Sequence, residues 1–244
     1  MKKSLKTLLM SSALLLAVAA PLAASADTSS DIGNGSGSTD VSATFEKSTQ
    51  TVNPVNPDNP GTSDNSGDKG NGAAAGGDLS LIYVTNKLDF GSHEIDVSND
   101  QTYAANYTDS DTTKSADVSS LWNNKAVVEV SDVRGTNAGW NLTVSGTALT
   151  GTDGTTLKGA TLVLPTGTLA NTGSSSNGTQ SVAVTNALDT AAAQVLTAGK
   201  DNGAGITTDQ LNPSDIKLTV PANQAKAQGY TTKLTWNLSD TPAS

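Results

Sequence analysis

The triplet Trp-Asn-Leu occurs twice, at Trp140-Asn141-Leu142 and at Trp236-Asn237-Leu238, and each time it sits in a longer row of residues that alternates in character. Trp140, Leu142 and Val144 make one row, and Tyr230, Thr232, Leu234, Trp236 and Leu238 the other. A period of two sends alternate side chains to opposite faces of a strand, so each Trp and Leu face one way while Asn141 and Asn237 face the other. A tryptophan buries up to about 250 Å², roughly 6 kcal/mol at about 25 cal/mol/Å² as an upper estimate. With no cysteine anywhere in the chain, burial alone must hold the fold. The two rows are therefore read as neighbouring strands whose apolar sides line a shared core. The alternative is that at least one ring stacks on a sugar while the asparagines bond hydroxyls.

The same alternation recurs in Leu79, Leu81 and Tyr83, in Val128 and Val130, in Leu162 and Leu164, in Val182 and Val184, and in Ile216, Leu218 and Val220. Gly, Asn, Asp, Ser and Pro separate these runs, as turns require. Many short strands at such spacing predict an all-β fold, an antiparallel sandwich or barrel-like domain over residues 78–244. Residues 188–197 stay open between a short helix, for which Gly199 stands as a C-terminal cap, and an irregular edge strand.

Ahead of the domain the composition changes. Residues 1–26 read as a secretory signal peptide, with Lys2, Lys3 and Lys6, an apolar middle from Leu8 to Ala20, and a small-residue cleavage site at Ala24-Ser25-Ala26. Residues 27–77 are rich in Gly, Ser, Asn, Asp, Thr and Pro and include the run NPVNPDNPG at 53–61. Such a stretch is expected to be a disordered, flexible spacer, because it offers little surface to bury. Val41, Ala43 and Phe45 alone alternate within it as a short docked strand would.

Without the leader lysines, 11 Lys and Arg face 23 Asp and Glu, a net charge of −12. Polyphosphate ligands need clustered cations, and Arg134 is the only arginine, so nucleic acid is excluded as a partner. No apolar run after the leader reaches the roughly 20 residues of a membrane span.

The order of these elements resembles the WxL-domain surface proteins of low-GC Gram-positive bacteria. The resemblance rests on Leu79-Ser80-Leu81-Ile82-Tyr83-Val84, Leu88-Asp89-Phe90-Gly91, and Val130-Ser131-Asp132-Val133-Arg134-Gly135 leading into Gly139-Trp140-Asn141-Leu142. It continues through Leu218-Thr219-Val220-Pro221 to the stretch from Tyr230 to Leu238. It implies non-covalent attachment to the cell wall, with peptidoglycan as ligand. It also implies partnership with larger WxL proteins and membrane-anchored WxL-interacting proteins. The glycine-rich stretch Gly203-Ala204-Gly205-Ile206 departs from the pattern in lacking an aromatic after its glycines.

Other chemistry is weakly represented. Leu164-Pro165-Thr166-Gly167 lacks one residue of the sortase signal, lies within the domain, and precedes no apolar stretch or basic tail. Asp132 and Arg134, two apart, are read as a bidentate structural pair holding the turn before Trp140, with ligand contact as the alternative. His93 is the sole histidine and has no nucleophile motif beside it. Asp109, Asp111 and Asp117 fit no calcium loop. Glu94 and Glu129, the glutamates of residues 78–244, lie in no glycosidase motif. The chain is thus expected to be a non-catalytic wall-binding protein, without metal or cofactor. The competing reading is an assembly component bound to other surface proteins or to host matrix proteins. Asn141 and Asn237 are the candidate ligand-facing side chains, and Trp140, Leu142, Tyr230, Leu234, Trp236 and Leu238 the motif core.

Overall fold

The computed structural model describes residues 37–64, 70–74, 76–105, 121–173 and 178–242. The leader, Tyr107 and the acidic residues Asp109, Asp111 and Asp117 lie outside the described residues. The chain divides into two compact units, 1–43 and 44–244. In the first, residues 37–43 carry no regular structure and are exposed, Val41 at 90%.

The second unit is built from strands, and the described residues contain no α-helix. Its centre is two four-stranded antiparallel sheets. One runs in the order β10 (Thr179–Ser181), β11 (Ala193–Ala198), β6 (Trp140–Gly146), β15 (Leu234–Ser239). The other runs β3 (Leu79–Val84), β5 (Ala126–Asp132), β12 (Gly205–Leu211), β9 (Thr168–Asn171). A third sheet, β4 (Gln101–Ala104), β13 (Lys217–Val220), β8 (Thr161–Val163), flanks them, and β7 (Thr150–Gly151) pairs with β14 (Tyr230–Thr231). One core joins them: Val128 and Val130 from β5, Trp140, Leu142 and Val144 from β6, Leu196 from β11 and Leu162 from β8 pack together. This is the all-β, sandwich-like architecture that the alternating runs predict.

The ambiguous stretch at 188–197 is irregular up to residue 192 and from Ala193 becomes strand β11, which sits inside its sheet between β10 and β6. Its register shifts between Gln194 and Leu196, so Val195 forms a bulge, and Val195 and Leu196 are both buried. Alanine's helix propensity is a few tenths of a kcal/mol per residue and yields to strand pairing on both sides.

A bulge between Leu81 and Tyr83 turns Tyr83 away from the face that Leu79 and Leu81 present to the core. Tyr83 instead packs with Trp122 and Val127 on the outer face of that sheet, its ring 4.8 Å from the Trp122 ring. Every residue of β5 is buried, on both faces.

The outer face is covered further by a segment assigned from sequence to the spacer. Residues of the NPVNPDNPG run form a hairpin, β1 (Val55–Asn56) and β2 (Asn59–Ser63), turned through Pro57-Asp58 with Asp58 N–H donating to Asn56 Oδ1 at 2.9 Å. Pro54, Val55, Pro57 and Pro60 are buried. Proline rings bury surface with little loss of chain entropy because their φ is already fixed, so a low-complexity composition here still docks. Residues 37–54 otherwise contain no strand, and Phe45 is 92% exposed.

On the inner face of β12, Asp209 is fully buried and accepts a hydrogen bond from Ser181 Oγ at 2.7 Å, while Gly167 N–H donates to the same hydroxyl. The run 164–167 is thus folded into the domain. Burial pushes the Asp209 carboxyl up to about 7, against the opposing pull of the Ser181 bond. Its folded pKa lies above its unfolded value, so its stabilising contribution is complete below about pH 4 and disappears as pH rises through about 7. Thermal midpoints should therefore fall between about pH 5 and 8, and Asp209→Asn should make that fall shallower. A midpoint that climbs over this range in the parent chain would contradict the assignment.

Candidate functional site

The two Trp-Asn-Leu strands lie side by side. β15 pairs with β6 in antiparallel register, with Leu238 opposite Leu142 and Trp236 opposite Val144. Trp236 therefore sits four positions along β6 from Trp140, about 13 Å at the strand rise.

Trp140 is sealed, with no exposed surface. Its indole Nε1–H donates to the Gly203 carbonyl at 3.1 Å, and its own carbonyl accepts from Thr197 Oγ1 at 3.1 Å. The glycines around it are there for space. A Cβ on Gly203, whose φ is +80°, would lie 2.5 Å from Trp140 Nε1, and one on Gly139, φ +81°, would lie 2.5 Å from the Ala198 carbonyl. The glycine-rich stretch that lacks an aromatic thus meets the ring with its backbone. Sequence reasoning missed this cradle; its signal was the spacing of Gly203 and Gly205, both at positive φ.

Arg134 fixes the approach to the same strand. Its Nε and Nη2 donate to Asp132 Oδ1 and Oδ2 at 2.9 and 2.7 Å, and Nη2 also reaches the Gly139 carbonyl at 2.8 Å. The pair is mostly shielded, with side-chain exposures of 16% for Arg134 and 2% for Asp132. A fork of this kind holds the residue before Trp140 in place as a lysine could not.

The second row has a different fate. Leu234, Trp236 and Leu238 are half-buried, and so is Tyr230. Among the described residues β15 ends its sheet and is paired with a strand on one side only. Trp236, Leu234 and Tyr230 line a groove of about 1200 Å³ whose other walls include Phe90, Tyr103 and Leu218. The His93 and Tyr103 rings stack there at 3.7 Å with 12° between their planes. Tyr230 Oη accepts from Lys226 N–H at 2.9 Å and from Gln228 Nε2 at 3.1 Å, so the ring is fixed in position. Asp153 anchors this corner, accepting from Lys226 Nζ at 2.8 Å and Gln228 Nε2 at 3.0 Å. Those bonds, that to Lys226 first, hold its carboxyl well below the usual carboxylate range.

On the opposite face of the same sheet, Asn237 is exposed and Asn141 half-buried, across the strands from Thr143 and Ser239 respectively. The structure does not bring them to the groove, which opens on the other side. Among the described residues no group of three His, Asp or Glu side chains is placed to hold a metal ion.

Residues 33–242 match the family model described as WxL domain, surface cell wall-binding. The chain belongs to the WxL family. No curated protein and no solved structure matches it. As a WxL chain it is a cell-surface, wall-associating protein, and the family's role is a binding one, not a catalytic one. Among the described residues no helix is long and apolar enough to cross a membrane.

Two stability differences follow for this WxL domain. Trp140→Phe removes the donor to the Gly203 carbonyl and leaves a void, and should cost about 2–4 kcal/mol; Trp236→Phe, at a half-open site, should cost less than about 1 kcal/mol. Denaturant unfolding of both variants checks this, and equal losses would contradict it. Arg134→Lys, which breaks the fork to Asp132 and Gly139, should lose about 1–3 kcal/mol, read from the same curves.

Proposed function

We propose that this chain is exported by its 1–26 leader and attaches non-covalently to the peptidoglycan of a Gram-positive wall through its WxL domain, without catalysing any reaction. The groove beside Trp236 is the contact. The observation that carries this reading is the contrast between the two tryptophans of the motif, one fully buried and the other half-exposed on the wall of a groove that Tyr230 also lines. An indole and a phenol on the walls of one groove offer flat apolar faces to the C–H surfaces of sugar rings. The polar groups at the rim, among them Gln101, Thr232 and Lys233, supply donors and acceptors for hydroxyl and amide groups.

A second reading has its own observation. Among the described residues no strand lies beside the outer edge of β15, and an open edge next to an apolar groove is a place where an extended segment of another protein adds to a sheet. On that reading the partners are larger WxL proteins, membrane-anchored WxL-interacting proteins or host matrix proteins, and wall association is indirect.

Sedimentation with purified peptidoglycan separates the two. The chain from residue 27 onward should co-sediment with no other protein present, and Trp236→Ala should weaken that binding about tenfold, close to 1.4 kcal/mol, with its melting curve little changed. Absence of co-sedimentation by the folded parent chain would transfer the weight to the assembly reading.

A further inference from the structure

The proline hairpin is held by a small set of polar contacts to the outer face of the β3–β5–β12–β9 sheet, and one of them is to a buried acid. Val55 N–H donates to Glu129 Oε2 at 3.1 Å. On β12, Thr208 Oγ1 and Gln210 Nε2 both donate to the Pro57 carbonyl, at 2.8 and 3.1 Å. Glu129 and Thr208 are cross-strand partners, as are Val127 and Gln210, so all these groups share one face. The hairpin is closed at its base by Asp64 N–H donating to the Pro54 carbonyl at 3.3 Å.

Glu129 has no exposed surface, and its second oxygen, Oε1, is buried without a hydrogen-bond partner. A carboxylate in that position is costly, since an ionised group out of water needs paired charge. Among the described residues, the elements packed against it supply none. The hairpin brings the acids Asp58 and Asp64 and no base. β3 faces it with Tyr83, β12 with Thr208 and Gln210, and β9 places Ala170 opposite Thr208. Along its own strand come Ser131 and, before the strand begins, Lys125. Burial, with a further push from Asp64 and against the Val55 bond, raises its carboxyl to about 8.

We propose that the hairpin is a proton-linked cover on this sheet face, seated while Glu129 carries a proton and released as that carboxyl ionises. Lifting the hairpin admits water to Glu129, where its pKa returns to the ordinary carboxyl range, and seating it again takes up one proton. The seated state therefore weakens as pH rises from about 4.5 towards 8 and then levels off, by up to about tenfold per pH unit for a single linked proton. Release would uncover Glu129 and Thr208 and add the hairpin's own residues to the N-terminal connection, up to about 32 Å of chain at full extension. This mechanism is independent of what the groove beside Trp236 binds.

Hydrogen exchange of the whole chain from residue 27, corrected for intrinsic rates and read by mass spectrometry from about pH 5 to 9, tests it. Protection of the amides in residues 55–63 should fall by nearly tenfold per pH unit up to about pH 8, while the β6 amides stay better protected than the hairpin's at every pH. Glu129→Gln keeps an oxygen for Val55 N–H but cannot ionise, and should hold the hairpin amides protected with no pH slope. Thr208→Val should lower their protection at every pH and leave the slope intact, which keeps the idea testable should Glu129→Gln fold poorly. The proposal is overturned by hairpin protection that ignores pH in the parent chain, by an unchanged slope in Glu129→Gln, or by hairpin amides no less protected than those of β6 at any pH.

Discussion

The desolvated indole of Trp140, with its one N–H met by the Gly203 carbonyl, is the contact on which the rest of the domain is arranged. A buried donor left unmade costs about 1–3 kcal/mol, a large part of the 5–15 kcal/mol by which domains are stable. Meeting it requires the loop after β11 to pass close over the ring, which only glycine at positive φ permits, and requires β6 to start at a fixed point, which the Arg134 fork to Asp132 and Gly139 provides. β6 then carries β11 on one side and β15 on the other. Its apolar row faces Val128 and Val130 of the second sheet through the common core.

The same three letters have two outcomes because position in the sheet differs. β6 is flanked on both sides, so its tryptophan is enclosed; β15 is flanked on one, so its tryptophan keeps a free side that forms a groove wall. The repeated triplet thus places a structural ring and an accessible ring in neighbouring strands. The aromatic content of this chain is low, which makes the gathering of Trp236, Tyr230, Tyr103 and Phe90 around one groove more telling than it would be in an average domain.

Alternation was enough to read the strand-rich fold, because period two is a direct consequence of strand geometry and survives in most of the runs. It failed at Tyr83, where a bulge reverses the faces, and bulges leave no periodic mark in the sequence. It could not reveal that both faces of β5 are covered, since the cover comes from a proline-rich segment whose composition reads as spacer. The pairing of Trp140 with Gly203 was equally hidden: a backbone carbonyl has no letter. Asp132 and Arg134 were visible as neighbours two apart, but the reach of the guanidinium to Gly139 depends on a turn that only coordinates describe. The groove was not legible at all, because its walls come from parts of the chain distant in sequence.

The place of β6 also bears on when the domain can assemble. Its two neighbours both lie downstream, with Thr197 bonded to Trp140 across 57 residues and Asn237 bonded to Thr143 across 94. While the ribosome is still making those later segments, β6 has nothing to pair with, and its tryptophan has no carbonyl above it. The nascent chain is thereby kept from closing into a finished body part-way through synthesis. Long-range closure of this sort is slow, and it leaves the centre of this sheet waiting on the last strand of the domain to be made.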